Sequence, residues 1–532
     1  VELSGGDKDT RPPRLLKSIP DTFAVGFKNS SIILYFDEFI NLNNPSSEIF
    51  FSPPYKNIPD FVNKGKSLLI KLKDTLLENT TYTINLGKAV SDITESNIAE
   101  NLSYVFSTGN SIDSGKISGF VTDALTGDPV KGVKVMAYAD YADSVPYRKK
   151  PLYYTTTNEA GSFTMNYLRP GYYRLFILLE ENNSFTYDRP GEMIGFADTL
   201  VSTADSIPAF YHLFAEELEK VSLLKAKSYK PGKVLFEFSG GNERIEILNV
   251  TPSDIFSDSL IEKNMKGDSL IWWFRPTSAD SVQFIISMPG KTDTVSVQLS
   301  QVNLNSTSEK SVSGRKKQTD AFSVKIDVKK DTPQDVFKPI RLIFSHPVDS
   351  IFASKILLIS TKDTISPQVV FTDKAKKKAK LNTLLKGRET YTLVLQKGAF
   401  ASIYRQFTDS SSVTFKTRAE SDYASLEIKL KNMPGKGTGI VQILKEKEVI
   451  SELPVSTSNP VAIFRKLEPA TYTLRYIDDR NKNRKWDTGK YASKIQPEKV
   501  IYMAAAITIR ESWDQVIEWD FTPDSAKSKK GR

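Results

Sequence analysis

The segment YIDDRNKNRKWDTGKY, residues 476–491, sets Asp479, Asn481, Asn483 and Asp487 at alternate or near-alternate positions. Side-chain oxygens at that spacing suit Ca²⁺, which takes six to eight oxygen ligands around a tight turn, with glycine usual at the sixth loop position. Counted from Asp479, the sixth position is Arg484. Lys482, Lys485 and Lys490 add further positive charge, and Lys490 falls where an EF-hand loop carries its bidentate glutamate. Cations crowded around a cation repel it. The segment therefore has two readings, a calcium loop or a hydrogen-bonded Asx-rich turn, and its charge favours the turn.

Other reactive constellations are thin. There is no cysteine, which excludes thiolate chemistry and disulfides from these 532 residues. Histidine occurs twice, at His212 and His346, so a His-rich zinc centre cannot be built and any Ser–His–Asp triad must use one of the two. Ser222-x-x-Lys225 and Ser313-x-x-Lys316 have the spacing of a serine–lysine pair, but no Lys-Thr-Gly accompanies them. Asp37 and Glu38 are adjacent in an extended run and so point to opposite faces. MPGKGTG (433–439) lacks the spacing of a phosphate loop. Trp272-Trp273-Phe274 puts at least one ring outward unless its sheet is covered on both faces, so a partner or glycan contact at Trp272 and Trp273 stands beside core packing. We expect neither an enzyme nor a bound cofactor.

The formal net charge of +9 is concentrated in KAKKKAK (374–380), SGRKKQ (313–318) and AKSKKGR (526–532). None of these runs interleaves stacking aromatics or lies on a recognition helix, so they read as solvated loops and tails and no nucleic-acid partner is expected. No run of about 18 apolar residues is present, so no transmembrane helix is expected.

The elements that carry these residues are short strands. SIILYF (31–36), SLLIKLK (67–73), YTINL (82–86) and YVFST (104–108) are apolar or alternating runs, and Tyr82, Ile84 and Leu86 share one face. NEAGSF (158–163) reads as a tight hairpin turn. The chain also repeats itself. IILYFDEFI (32–40) corresponds to IRLIFSHPV (340–348), LLENTTYTINL (76–86) to LLKGRETYTLVL (384–395), SYVFSTG (103–109) to SVTFKTR (412–418), and LRPGYYRLFI (168–177) to LEPATYTLRY (467–476). The expected fold is all-β, a tandem array of Ig-like and prealbumin-like sandwiches in the order A–B–C–A′–B′. The expected divisions are an extended leader at 1–14, an Ig-like domain at 15–110, a prealbumin-like domain at 114–215 and a sandwich-like domain at 216–304. A linker at 305–320, a second Ig-like domain at 321–418, a second prealbumin-like domain at 422–522 and a basic tail at 523–532 complete the chain.

Phe344-Ser345-His346-Pro347-Val348 resembles the signature of the SbsA-type bacterial Ig-like family, with Phe36-Asp37-Glu38-Phe39-Ile40 as a looser partner. GFVTDALTGDPVKGVKV (119–135) and TTNEAGSF (156–163) resemble carboxypeptidase-regulatory or Cna-B modules, which have a prealbumin-like fold. Gly5-Gly6-Asp7-Lys8-Asp9-Thr10-Arg11-Pro12-Pro13 resembles the stretch that follows the lipidated cysteine in Bacteroidota Ig-like lipoproteins. Modules related to the second prealbumin-like copy often carry a calcium-competent loop where residues 479–487 stand. The matching segment of the first copy, EENNSFTYD (180–188), lacks the pattern.

Asp followed by Ser or Thr recurs and resembles the O-glycosylation sequon of exported Bacteroidota proteins. The candidate acceptors are Thr75, Ser144, Thr199, Ser206, Ser259, Ser269, Ser281, Thr294, Ser350, Thr364 and Ser525. The same dipeptide also starts strands after turns. Together the resemblances imply a non-catalytic lipoprotein held in the outer membrane by an N-terminal lipid, on the cell surface rather than the periplasmic face. It would act as a structural subunit beside an outer-membrane β-barrel protein or complex, the barrel-assembly (BAM) machinery being one. The alternative is a cell-surface adhesin or glycan-binding protein.

Overall fold

The computed structural model describes residues 9–522 except 101, 190, 206, 243, 254–259, 276–277, 301–320 and 329–331. The expected linker at 305–320, the tail at 523–532, the first eight leader residues and the Ser313–Lys316 pair lie outside the described residues. Among those described, strands dominate, and the α-helices are single turns at Pro45–Glu48 and Val145–Arg148. The chain forms two compact units. One runs to Glu216 and also takes in Trp486–Val500; the other holds Glu217–Lys485 and resumes at Ile501.

In the first unit, Ser31–Phe36 alternates between half-buried and buried positions, which directs Ile32, Leu34 and Phe36 inward. It lies in an antiparallel sheet ordered Leu15–Ile19, Ser31–Phe36, Ser67–Lys71, Asp60–Asn63. A second sheet orders Phe50–Ser52, Thr81–Asn85, Ser103–Ser107. Tyr82, Ile84 and Leu86 point from it into the shared core, as their spacing predicts. Residues from 115 onward form a larger sheet, in which Gly115–Asp123 pairs antiparallel with Ser162–Leu168 and parallel with Ala209–Ala215. The Asn158 carboxamide accepts the amides of Ala160 and Ser162, both at 3.0 Å, and closes the expected hairpin turn.

In the second unit, Leu223–Lys230, Lys233–Phe238, Ser269–Trp273 and Leu260–Lys263 form one sheet, and Glu246–Thr251, Ser281–Met288 and Lys291–Gln298 another, around a core that includes Trp272, Phe236 and Phe284. Two further cores follow, one built around Leu342, Phe344, Leu393 and Phe400, the other around Leu426, Ile428, Leu474 and Tyr476. Ala424–Lys431 pairs parallel with Gln515–Asp520, repeating the parallel pairing of Gly115–Asp123 with Ala209–Ala215. The chain is thus an all-β tandem array of β-sandwich domains.

The sequence repeats recur as side-chain bonds. Tyr82 accepts the Leu77 amide at 2.9 Å, and Tyr391 accepts the Lys386 amide at 3.0 Å. Thr108 donates to the Leu77 carbonyl and Thr417 to the Lys386 carbonyl, both at 2.6 Å. Tyr173 donates to the Arg169 carbonyl at 2.7 Å, and Tyr472 to the Glu468 carbonyl at 2.9 Å. Each pair satisfies backbone groups that a turn leaves open, which explains why these few polar positions survive in otherwise divergent copies.

Candidate functional site

The strand Ala470–Ile477 delivers the chain into the Asx-rich segment. Asp479 is only 5% exposed. One of its carboxylate oxygens accepts the Asn483 amide at 3.1 Å and the other the Arg484 amide at 3.0 Å. Asn481 accepts the Asn483 amide, and Asn483 accepts the Lys485 amide. Lys482 and Arg484 both adopt left-handed backbone, with φ of 63° and 64°. The turn that glycine would ease is therefore made by an arginine, and the side-chain oxygens organise backbone N–H groups. Asp487 belongs to the first unit, where its amide donates to Glu498 at 3.2 Å and its carbonyl accepts the Glu498 amide at 2.9 Å. Among the described residues, no three His, Cys, Asp or Glu side chains gather in a metal-binding group.

Trp272 and Trp273 are 0% and 4% exposed. Trp272 stacks on Phe274 with ring centroids 4.1 Å apart and meets Phe284 edge-on at 4.9 Å. Trp273 points to the other face of its sheet, where residues from later connecting segments cover it. Lys233 and Lys377 place their ammonium groups 4.7 and 4.9 Å from its ring, and His346 packs edge-on at 5.9 Å. Its indole N–H donates to Glu262 at 2.9 Å, and Glu262 also receives Lys377 at 2.9 Å. Neither indole offers an open face to a sugar or a partner in this structure. Both faces of the sheet are covered, the one arrangement that lets consecutive tryptophans be buried.

His346 sits in the bend between two strands, yet it is only 8% exposed and packs with Phe322 and Tyr404 as well as Trp273. His212 hydrogen-bonds Thr122 across the parallel strand pair at 3.3 Å. Partial desolvation of its ring, with Lys499 nearby, pushes its pKa below the ordinary histidine value. Asp37 is engaged by Arg14 at 2.9 Å.

Among the candidate glycosylation sites, Thr75, Ser144, Thr199, Ser281, Thr294 and Thr364 are exposed, and Ser269 and Ser350 are half-buried. Ser269, Ser281 and Thr364 are first residues of strands, the position that turn chemistry alone would give them. Ser206, Ser259 and Ser525 lie outside the described residues.

Sequence reasoning missed one assembly altogether. Residues 486–500 leave the stretch expected as a second prealbumin-like domain and complete the core of the first unit. Tyr491, 1% exposed, packs against Phe176 at 4.9 Å and Phe196 at 5.2 Å, while Lys494 lies 3.5 Å over its ring. Thr488 donates to the Ala215 carbonyl at 2.6 Å, and Gln496 to the Phe196 carbonyl at 3.0 Å. Within the sequence these residues look like the polar end of a loop. Only Trp486 and Tyr491 hint at burial, and nothing local says against what.

Residues 9–108 match the family model described as a bacterial Ig-like domain, and residues 116–188 match the one described as a carboxypeptidase regulatory-like domain. No curated protein matches the chain. Solved structures similar to it include domains 1–6 of the surface layer protein SbsC, with 12% identity over 94% of this chain and 67% of that one and a TM-score of 0.15. The Bacillus anthracis TIE protein matches with 10% identity over 98% and 75%, with a TM-score of 0.15. The I9–I11 tandem of titin matches with 12% identity over 56% and 100%, with a TM-score of 0.12. At those scores the three likenesses carry no argument about function. Residues 9–108 and 116–188 thus resemble an Ig-like and a carboxypeptidase regulatory-like domain in tandem, which fits a structural or adhesive role.

Proposed function

We propose that this protein works on the cell surface as a non-catalytic, adhesive array of β-sandwich modules. The observation that carries this reading is the tandem of Ig-like and carboxypeptidase regulatory-like domains. Such modules extend a chain and present loops and sheet faces without needing a reactive centre. The leader resemblance at Gly5–Pro13 supports attachment to the outer membrane of a Bacteroidota cell through an N-terminal lipid. The Asp-Ser/Thr recurrences support O-glycosylation at the exposed hydroxyls, Thr75, Ser144, Thr199, Ser281, Thr294 and Thr364 foremost. Antibody labelling and protease shaving of intact cells test the location. Surface labelling with loss of the protein on shaving supports it, and protection until the outer membrane is opened overturns it. Mass spectrometry of the shaved peptides reads the glycans.

A second reading is a scaffold subunit bound to an outer-membrane β-barrel complex, the barrel-assembly machinery being one candidate. The leader resemblance favours it, together with the many self-contained cores, which suit a bridging role. Affinity capture of the full-length protein from membranes in mild detergent tests it. Stoichiometric recovery of a barrel protein supports the scaffold, and recovery of the protein alone leaves the adhesive reading.

A further inference from the structure

We propose that the first unit carries a binding groove for neutral oligosaccharides, at a place distinct from Trp272 and Trp273. The proposal rests on the adhesive reading for its biological setting, whereas the groove itself is defined by geometry.

The groove has a volume of about 380 Å³, within the range of small-molecule sites. One wall is the outer face of the sheet that holds Phe50–Ser52, Thr81–Asn85 and Ser103–Ser107. Along Thr81–Asn85, Tyr82 and Ile84 are buried in the core, so Thr83 and Asn85 project the other way. The opposite wall comes from Tyr153–Thr156 and Ser162–Leu168, where Phe163 and Met165 face inward and Thr164 and Asn166 face out. The two walls are locked together beside the groove. The Phe50 ring packs against Tyr154 at 4.4 Å and Phe185 at 4.7 Å, and Asn183 donates to Glu48 at 2.8 Å.

The lining is chemically selective. A quarter of the whole chain is charged, yet among the described residues no Asp, Glu, Lys, Arg or His lines this groove. Its projecting side chains are hydroxyls and carboxamides. Thr83, Thr155, Thr164 and Asn166 have no side-chain hydrogen-bond partner among the described residues. Their donors and acceptors are therefore open to a ligand. Tyr167 adds aromatic surface at one end, with its ring held edge-on to Phe23 at 5.4 Å. A sugar ring needs this combination: paired donors and acceptors for its hydroxyls and an apolar or aromatic surface for its C–H face. A groove without charge gives an anionic ligand no counter-ion and would strip its hydration without return, so it selects neutral glycans over acidic ones.

The test uses the purified full-length chain. Maltotriose, cellotriose and triacetylchitotriose are the neutral probes and trigalacturonate the acidic control, with binding read by saturation-transfer NMR and calorimetry. Asn166→Ala with Thr155→Val is the groove variant. Asn166 is exposed and Thr155 half-buried, and an unchanged melting temperature shows that the variant folds. The expected result is binding of at least one neutral trisaccharide, weakened about tenfold or more in the double variant, with trigalacturonate unbound. The proposal is overturned if no neutral trisaccharide binds at its solubility limit, if the double variant binds as the parent does, or if the acidic trisaccharide binds best. Cell-surface exposure is read separately on intact cells, so either result can fail while the other stands.

Discussion

Tyr491 donates its backbone amide to the carboxylate of Glu216, 275 positions earlier in the chain. Tyr187 donates its hydroxyl to the same carboxylate at 2.9 Å. One glutamate thus ties a strand end of the first unit to the returning segment 486–500. Burial and the neighbouring Glu216 charge push the Tyr187 hydroxyl far above its ordinary pKa, so it stays a neutral donor throughout the physiological range.

Removing the Tyr491 ring should therefore destabilise the first unit. Tyr491→Ala is expected to cost about 3–5 kcal/mol, the range for deleting a buried aromatic ring. Tyr491→Phe should be neutral or slightly stabilising, because the Tyr491 hydroxyl is buried without a hydrogen-bond partner among the described residues. Denaturant unfolding of the full chain checks both. Equal losses in the two variants would show that the hydroxyl, not the ring, holds the segment.

The path of the same segment past Phe214 depends on Gly489. A Cβ built there would stand 2.5 Å from the Phe214 ring and 2.7 Å from the Ile495 carbonyl oxygen. Gly489→Ala should cost about 1–3 kcal/mol through overpacking. Hydrogen exchange should show faster exchange confined to residues around 488–496 and the strand Ala209–Ala215.

Asp479 tests the two readings of the Asx-rich segment. Asp479→Ala removes the acceptors of two amides and should cost about 1–3 kcal/mol. The loss should be the same in excess calcium and in chelator, with the melting temperature of the parent also unchanged between them. A calcium-dependent rise in the parent that disappears in the variant would restore the metal reading.

Glu262 accepts both the Trp273 N–H and Lys377. Glu262→Ala should destabilise the second unit by about 2 kcal/mol, because it leaves a buried N–H and an ammonium without their acceptor. Glu262→Gln retains an acceptor for the indole and should recover part of that loss. Denaturant unfolding of the full chain compares the two variants with the parent.

A pH effect follows from Asp335. Burial opposes its charge, but the Phe337 amide at 2.9 Å, the Tyr423 hydroxyl at 2.7 Å and Lys338 at 3.3 Å outweigh it and hold the carboxyl below the ordinary 3.8. A carboxyl with a lowered folded pKa contributes stability that is full above its unfolded value and is lost as the pH falls through the folded one. Asp335→Asn should therefore flatten the decline in melting temperature from about pH 5 to about pH 2. An unchanged slope would exclude Asp335 as a source of acid sensitivity.

The sequence by itself determined the strands, their inward faces and the repeats. Alternation in SIILYF and YTINL is local, because successive side chains on a strand point to opposite faces whatever packs there. The repeats were legible because the tyrosine and threonine corners close turns with backbone partners only a few positions away, or on a neighbouring strand of the same copy. The turn chemistry of Asp479 was legible for the same reason. Tertiary structure decided the rest. Trp272 and Trp273 read the same in sequence whether one face of their sheet is open or both are covered, and covering Trp273 required Lys377 and His346 from another core. The destination of residues 486–500 was set by Phe176, Phe196 and Glu216, whose approach depends on long-range packing. The groove joins Thr83 and Asn85 to Thr155, Thr164 and Asn166, ordinary half-buried or exposed polar residues in any one strand. Only the approach of two sheets makes them a common surface.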